Sequence, residues 1–216
     1  MKIYKPSDVQ ESTNLYDFID LLIDNELDLE KKMLNLSSAY EKLILTPFAV
    51  NKLIEKLFTK LNFPINFSRK GDNNARYDAT ISIGNEGYEG IIEVEVPSTA
   101  MLDAPRNLLD DIAVVTNRSN MKMEQVIPIV ICWTFPNNRT DYWNVVNDIN
   151  KVLSIKIKTI SIMALAVCYW TNNQLKLVDD SFYVDVDNNS LREMIELLSN
   201  QNIDLSHFDG FFTPYK

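Results

Sequence analysis

Asp78, Glu93 and Glu95 are the residues whose types and spacing could do chemistry. Asp78 opens the run YDATISI, and the two glutamates alternate with apolar residues in IIEVEV, with Gly84-Asn85-Glu86-Gly87 between as a turn signal. Side chains along a strand alternate between faces. Asp78, Thr80 and Ser82 therefore share one face, and Ala79, Ile81 and Ile83 the other; Glu93 and Glu95 lie opposite in sense to Ile92, Val94 and Val96. A hairpin centred between Asn85 and Glu86 sets Asp78 across from Glu93 and Thr80 across from Ile91. Directly opposed residues hold their Cβ atoms about 4.5–5.5 Å apart, and like charges so placed are destabilising. Solvent, a proton, a basic side chain or a metal ion must offset that repulsion. A hard divalent cation is the offset that also creates chemistry. Mg²⁺ takes one or two carboxylates and keeps several waters, which suits Asp78 and Glu93, with the Val94 carbonyl between the glutamates completing the protein's share.

These residues need elements to hold them. NLYDFIDLLIDNEL and LEKKMLNLSSAYEKLI carry apolar residues at three- and four-residue spacing and predict two N-terminal helices. Thr46-Pro47 reads as a cap followed by proline at the first helical position, opening a helix that buries Phe48, Leu53, Ile54, Leu57, Phe58 and Leu61 and ends at Asn62 and Pro64. INFSRKGDNNA reads as a polar turn region. After the hairpin, a helix is expected from Arg106, then a buried strand VIPIVICWTF, a helix over 140–153 and a second buried strand TISIMALAVCYW. Asn172-Asn173 turns the chain back as LKLV, and SLREMIELLSN is the last helix. That order predicts an α/β mixed sheet with helices on both sides. Residues 1–45 are expected as an N-terminal helical extension and 46–216 as the α/β domain, the two forming one compact unit.

Composition narrows the chemistry. The 216 residues are 46% hydrophobic and 24% charged, ordinary values for a globular chain. MKIYKPSDVQ lacks the apolar core of a signal peptide, and the longest apolar runs are too short to span a bilayer. A cytoplasmic location without membrane contact is expected. Cys132 and Cys168 sit inside those runs as small core residues, and the single histidine, His207, has no zinc-ligand neighbours. Trp133, Trp143 and Trp170 read as core or edge aromatics. A net charge of −9 argues against coating nucleic acid by charge alone. Yet residues 51–76 hold six bases (Lys52, Lys56, Lys60, Arg69, Lys70, Arg76) against two acids (Glu55, Asp72), and they run straight into the carboxylate hairpin. The same bases could equally be a solvated helix face and loop.

A helix, a strand bearing Asp, and a hairpin strand bearing (Asp/Glu)-x-Lys form the core of the PD-(D/E)XK, or restriction-endonuclease-like, nucleases, and this stretch resembles that family. Asp78 matches the family aspartate and Glu93 the first acid of the second strand. Glu95 falls where most members carry lysine, Tyr77 stands where proline is usual, and Glu55 resembles the accessory helix acid of some members. The resemblance covers roughly residues 47–170. It implies a restriction-endonuclease-like sheet and a metal-dependent DNA endonuclease using Mg²⁺ or Mn²⁺. Asp78 and Glu93 would be metal ligands, and Glu95 would orient or deprotonate water. Arg69, Lys70, Arg76, Lys52 and Lys56 are candidates for contacting phosphates. The expected role is restriction or defence, as a homodimer or as the cleavage subunit of a larger assembly. The alternative is a catalytically inactive nuclease fold used as an interaction module. A third reading, an acyl- or glycosyl-transferring enzyme with paired carboxylates, lacks an evident sugar platform.

Overall fold

A computed structural model describes residues 6–46, 48–68, 77–83, 87–97, 101–175, 177–179 and 183–215, with side chains from residue 14 onward. Among the described residues the strands are β1 (Ile65–Phe67), β2 (Ala79–Ile83), β3 (Tyr88–Glu95), β4 (Val126–Cys132) and β5 (Lys158–Ser161). They form one sheet in chain order. The helices are α1 (Pro6–Ile23), α2 (Leu29–Ser38), α3 (Tyr40–Leu45), α4 (Ala49–Lys60), α5 (Ala104–Ser119), α6 (Asp141–Leu153), α7 (Ile162–Trp170) and α8 (Arg192–Asn200).

The sheet is mixed. β1, β2 and β3 are successive antiparallel neighbours, whereas β3, β4 and β5 run parallel. Parallel neighbours need a crossover, which α5 supplies between β3 and β4 and α6 between β4 and β5. Buried between parallel neighbours, β4 reads as a continuous apolar run, VIPIVIC, with every residue buried. Helices flank the sheet, as the element order predicted. α5 packs on β3 and β4, while α4 packs on β1 and joins α1 and α7, with α2 also against α7. Gly90, in the middle of β3, allows the backbone to come so close that a Cβ there would lie 2.5 Å from Ile81 Cγ2.

The hairpin register is the expected one, with Thr80 opposite Ile91 and Ala79 opposite Ile92. Other expectations are corrected. INFSRKGDNNA is not all turn: Ile65–Phe67 forms the edge strand β1, paired to Ala79–Ile81. TISIMALAVCYW is a strand only as far as Ser161. There the Ser161 hydroxyl accepts from Ala164 N at 3.1 Å and caps α7. The Met-Ala-Leu-Ala run that follows has high helix propensity, and burial on nearly every side hides the one-face pattern that marks a surface helix. LKLV supplies buried Leu175 and Leu177 without a described strand; the nearest pairing is an isolated bridge from Thr159 to Val184. The single helix expected over LEKKMLNLSSAYEKLI breaks at Ala39 into α2 and α3. Thr46 ends α3, its hydroxyl donating to Lys42 O, and Phe48, at φ 62, precedes α4; Pro47 lies outside the described residues.

Candidate active site

β3 outruns its partner. The β2 ladder ends at the Ala79–Ile92 pair, while β3 continues through Glu95 against β4, where Glu93 lies beside Val130 and Glu95 beside Cys132. On the side β2 has vacated, a side chain takes over. Asp78, the residue before β2, accepts a hydrogen bond on Oδ2 from Val94 N at 2.8 Å. Its own carbonyl accepts from Ser68 N at 2.8 Å, so the end of β1 holds the Asp78 backbone while β3 holds its carboxylate. Extending the register by one pair brings Asp78 across from Glu93, on the face they share with Thr80.

That face is not open to solvent, as a merely solvated acidic hairpin would be. Glu93 is 7% exposed and Glu95 6%. α5 lies over β3 and β4, and on the same face the Tyr142 hydroxyl of α6 meets Thr159 Oγ1 of β5 at 2.7 Å. Beneath this cover the acids resist ionisation. Burial first, then the charge of Asp78, a hydrogen bond that the protonated Glu93 carboxyl donates to Asp111, and the charges of Asp111 and Glu95 push the Glu93 carboxyl up to about 9. Burial first, then Asp78 and Asp103, raise Glu95 to about 7. Asp78 is raised by burial, against which the Val94 N–H pulls it down.

Asp111 was not singled out from the sequence. It is 2% exposed and sits on α5 among the buried residues Ala104, Leu108, Ile112 and Val115. The signal was present: in RNLLDDIAVV, Asp111 occupies a core position of the helical repeat, whereas its neighbour Asp110 is exposed. An acid on an apolar stripe marks a buried polar contact.

The remaining candidates lie elsewhere or outside the described residues. Glu55 pairs with Lys52 in a groove between α1 and α4, lined also by Tyr16, Ile19 and Thr59. Lys56 pairs with Asp20 of α1 and with Asp24 just after it, the latter at 2.6 Å. Arg69, Lys70 and Arg76 fall outside the described residues. Cys132 and Cys168 are buried thiols, and burial pushes both well above the usual thiol range. Among the described residues, no group of three or more His, Cys, Asp or Glu side chains forms a ready-made metal cage, and no helix is long and apolar enough to cross a membrane.

No protein-family model and no curated protein matches the chain. Among solved structures it is similar to the restriction endonuclease FokI, at TM-score 0.48 and 10% identity over 83% of this chain. It is similar also to FokI bound to DNA, at TM-score 0.48 and 11% identity over 84%. It spans about a third of those chains, 34% and 33% of their lengths. Such likenesses concern chain path, and at these scores they carry no weight in assigning chemistry.

Proposed function

We propose that the chain is a metal-dependent phosphodiesterase acting on DNA, an endonuclease of the restriction or defence type. The observation that carries this reading is the pinning of Asp78 onto Val94 N, between Glu93 and Glu95, where β3 has outrun β2. Buried acids held this close repel one another, and a divalent cation relieves that repulsion without rearranging the sheet. The donors fit such an ion. They are hard oxygens, with no imidazole beside them and a Cys132 thiol that burial keeps protonated, a set suited to Mg²⁺ or Mn²⁺ rather than to zinc. Asp78 and Glu93, with the Val94 carbonyl, would hold it. Two carboxylates and a carbonyl fall short of a full cage, as befits an ion that keeps much of its water.

Once bound, the ion would supply Lewis acidity to a phosphate oxygen and acidify a bound water. The residues of the chain do the rest. The Val94 N–H fixes the Asp78 carboxylate. Glu95, with a pKa near 7, suits a general base near neutrality: it takes the proton of the attacking water as the new P–O bond forms and the ester P–O bond breaks. Most of the family would have a lysine at that position to neutralise the transition state. Arg69, Lys70 and Arg76 are the candidates to replace it, since Lys52 and Lys56 are engaged by Glu55 and by α1. Cutting both strands calls for two sites, hence a homodimer or a place in a larger assembly.

The test is cleavage of supercoiled plasmid with Mg²⁺ or Mn²⁺, beside Asp78→Asn and Glu93→Gln. Metal-dependent cutting by the wild type, lost in both variants, is the expected result. Cutting that survives either substitution would overturn the site. The absence of lysine at Glu95 favours a second reading, an inactive nuclease fold serving as an interaction module; it predicts neither cutting nor Mn²⁺ binding at the hairpin.

A further inference from the structure

We infer that Asp111 is the positioning residue for Glu93, holding that carboxyl in the orientation from which it meets a cation beside Asp78. The inference rests on the proposed function and adds an element to it, because Asp111 is on α5, outside the hairpin that carries the other acids. Asp111 is 2% exposed on the helix that packs over β3, and its carboxyl accepts a hydrogen bond from the protonated Glu93 carboxyl. Packing alone does not explain an acid here. The surrounding positions of the same helix face are Leu108, Ile112 and Val115, and a carboxyl is costly to bury unless a specific partner compensates.

Glu93 needs such a partner. On β4 its neighbour is Val130, which offers no polar side chain, and on the other side β2 has already ended. Asp111 supplies the side-chain hydrogen bond that can select one Glu93 rotamer over another. Groups that orient metal-binding carboxylates are commonly hydrogen-bonded from just this outer layer, and their loss typically lowers metal affinity or activity about 10–100-fold. α5 thus has two tasks: it closes the crossover between β3 and β4, and it sets the orientation of a ligand.

The test uses the full chain as wild type, Asp111→Asn and Asp111→Val, with Mn²⁺ as the probe, affinity measured by calorimetry and cleavage followed in parallel. Asparagine keeps a hydrogen-bonding oxygen at the same reach, so Asp111→Asn should bind Mn²⁺ within about threefold of wild type. Valine fills the volume without the hydrogen-bonding group, and Asp111→Val should bind about 10–100-fold more weakly, with kcat reduced and KM for DNA unchanged. A merely structural role would lower the melting temperature in chelator but leave Mn²⁺ affinity intact. Wild-type affinity in Asp111→Val, or an equal loss in both variants, would overturn the inference. If Asp111→Val fails to melt cooperatively, Asp111→Ser, too short to reach Glu93, takes its place and should show the same loss. A wild type that binds no Mn²⁺ overturns the proposed function, and this inference with it; binding that is insensitive to residue 111 overturns this inference alone.

Discussion

Glu93 and Glu95 make pH a handle on the fold. Both are carboxyls whose folded pKa, about 9 and about 7, lies above the ordinary 4.5. The folded state therefore binds more protons than the unfolded chain above pH 4.5, up to about 7 for Glu95 and about 9 for Glu93. Stability falls as pH rises wherever the native state holds the extra proton. The metal-free protein should accordingly melt at progressively lower temperature from pH 5 to pH 9, the reverse of a fold held by ionised salt-bridged carboxylates. Thermal melts in chelator across that range check the sign. Mn²⁺ added at pH 8 should recover much of the loss, since a ligand that binds only the folded state stabilises it in proportion to the logarithm of its concentration over Kd. Glu93→Gln should raise the melting temperature at pH 8 in chelator, and a flat or rising pH profile in the wild type would contradict the buried-acid picture.

At the scale of elements, α7 shows where local chemistry decides and where it hides. Ser161 caps α7 from below while its hydroxyl donates to Phe211 O at 2.6 Å, so one side chain ends β5, starts α7 and ties down the C-terminal segment. Ser161→Ala should cost about 1–2 kcal/mol, measured by urea unfolding; a loss near zero would mean that water replaces both bonds. The hairpin was legible because alternation and turn residues specify register where one face is buried. The acids stood out for the same reason, as charge on a face that ought to be neutral. α7 was not legible, since IMALAVCYW after Ser161 has no polar face and no period distinguishes a buried helix from a buried strand. β1 escaped because three residues at an edge carry too little pattern. Asp111 is far from the hairpin in sequence and carries no motif spacing to it, although its place on the buried stripe of α5 is readable.

For the whole molecule, the helices of residues 6–45 are joined to the rest by more than chain. Ile19, Leu22, Ile23, Met33, Leu36 and Leu43 belong to the same apolar cluster as Leu53, Phe58 and Leu165. Trp170 Nε1 donates to Ile23 O at 2.9 Å, and the Tyr169 hydroxyl to Asp24 at 2.8 Å. Removing residues 1–45 would expose the partners of six buried side chains, each worth roughly 1.5–3 kcal/mol of burial, against a typical total stability of about 5–15 kcal/mol. The truncated chain should therefore be recovered unfolded or aggregated. A soluble fragment with a cooperative melt would show instead that residues 46–216 fold alone.

The bond from Val94 N to Asp78 also gives the molecule a reporter. Most amides in a sheet donate to a carbonyl and report only whether the sheet is intact. This one donates to a carboxylate at the centre of the candidate site, and a bond to a charged acceptor is stronger and shorter than one to a neutral acceptor. Its proton should resonate downfield of its strand neighbours in an NMR spectrum. The signal should move upfield when Asp78 is protonated or replaced by Asn, and move again when Mg²⁺ shares the carboxylate. One backbone resonance would thus follow occupancy of the site in solution, with no substrate, no turnover and no sequence of DNA to guess.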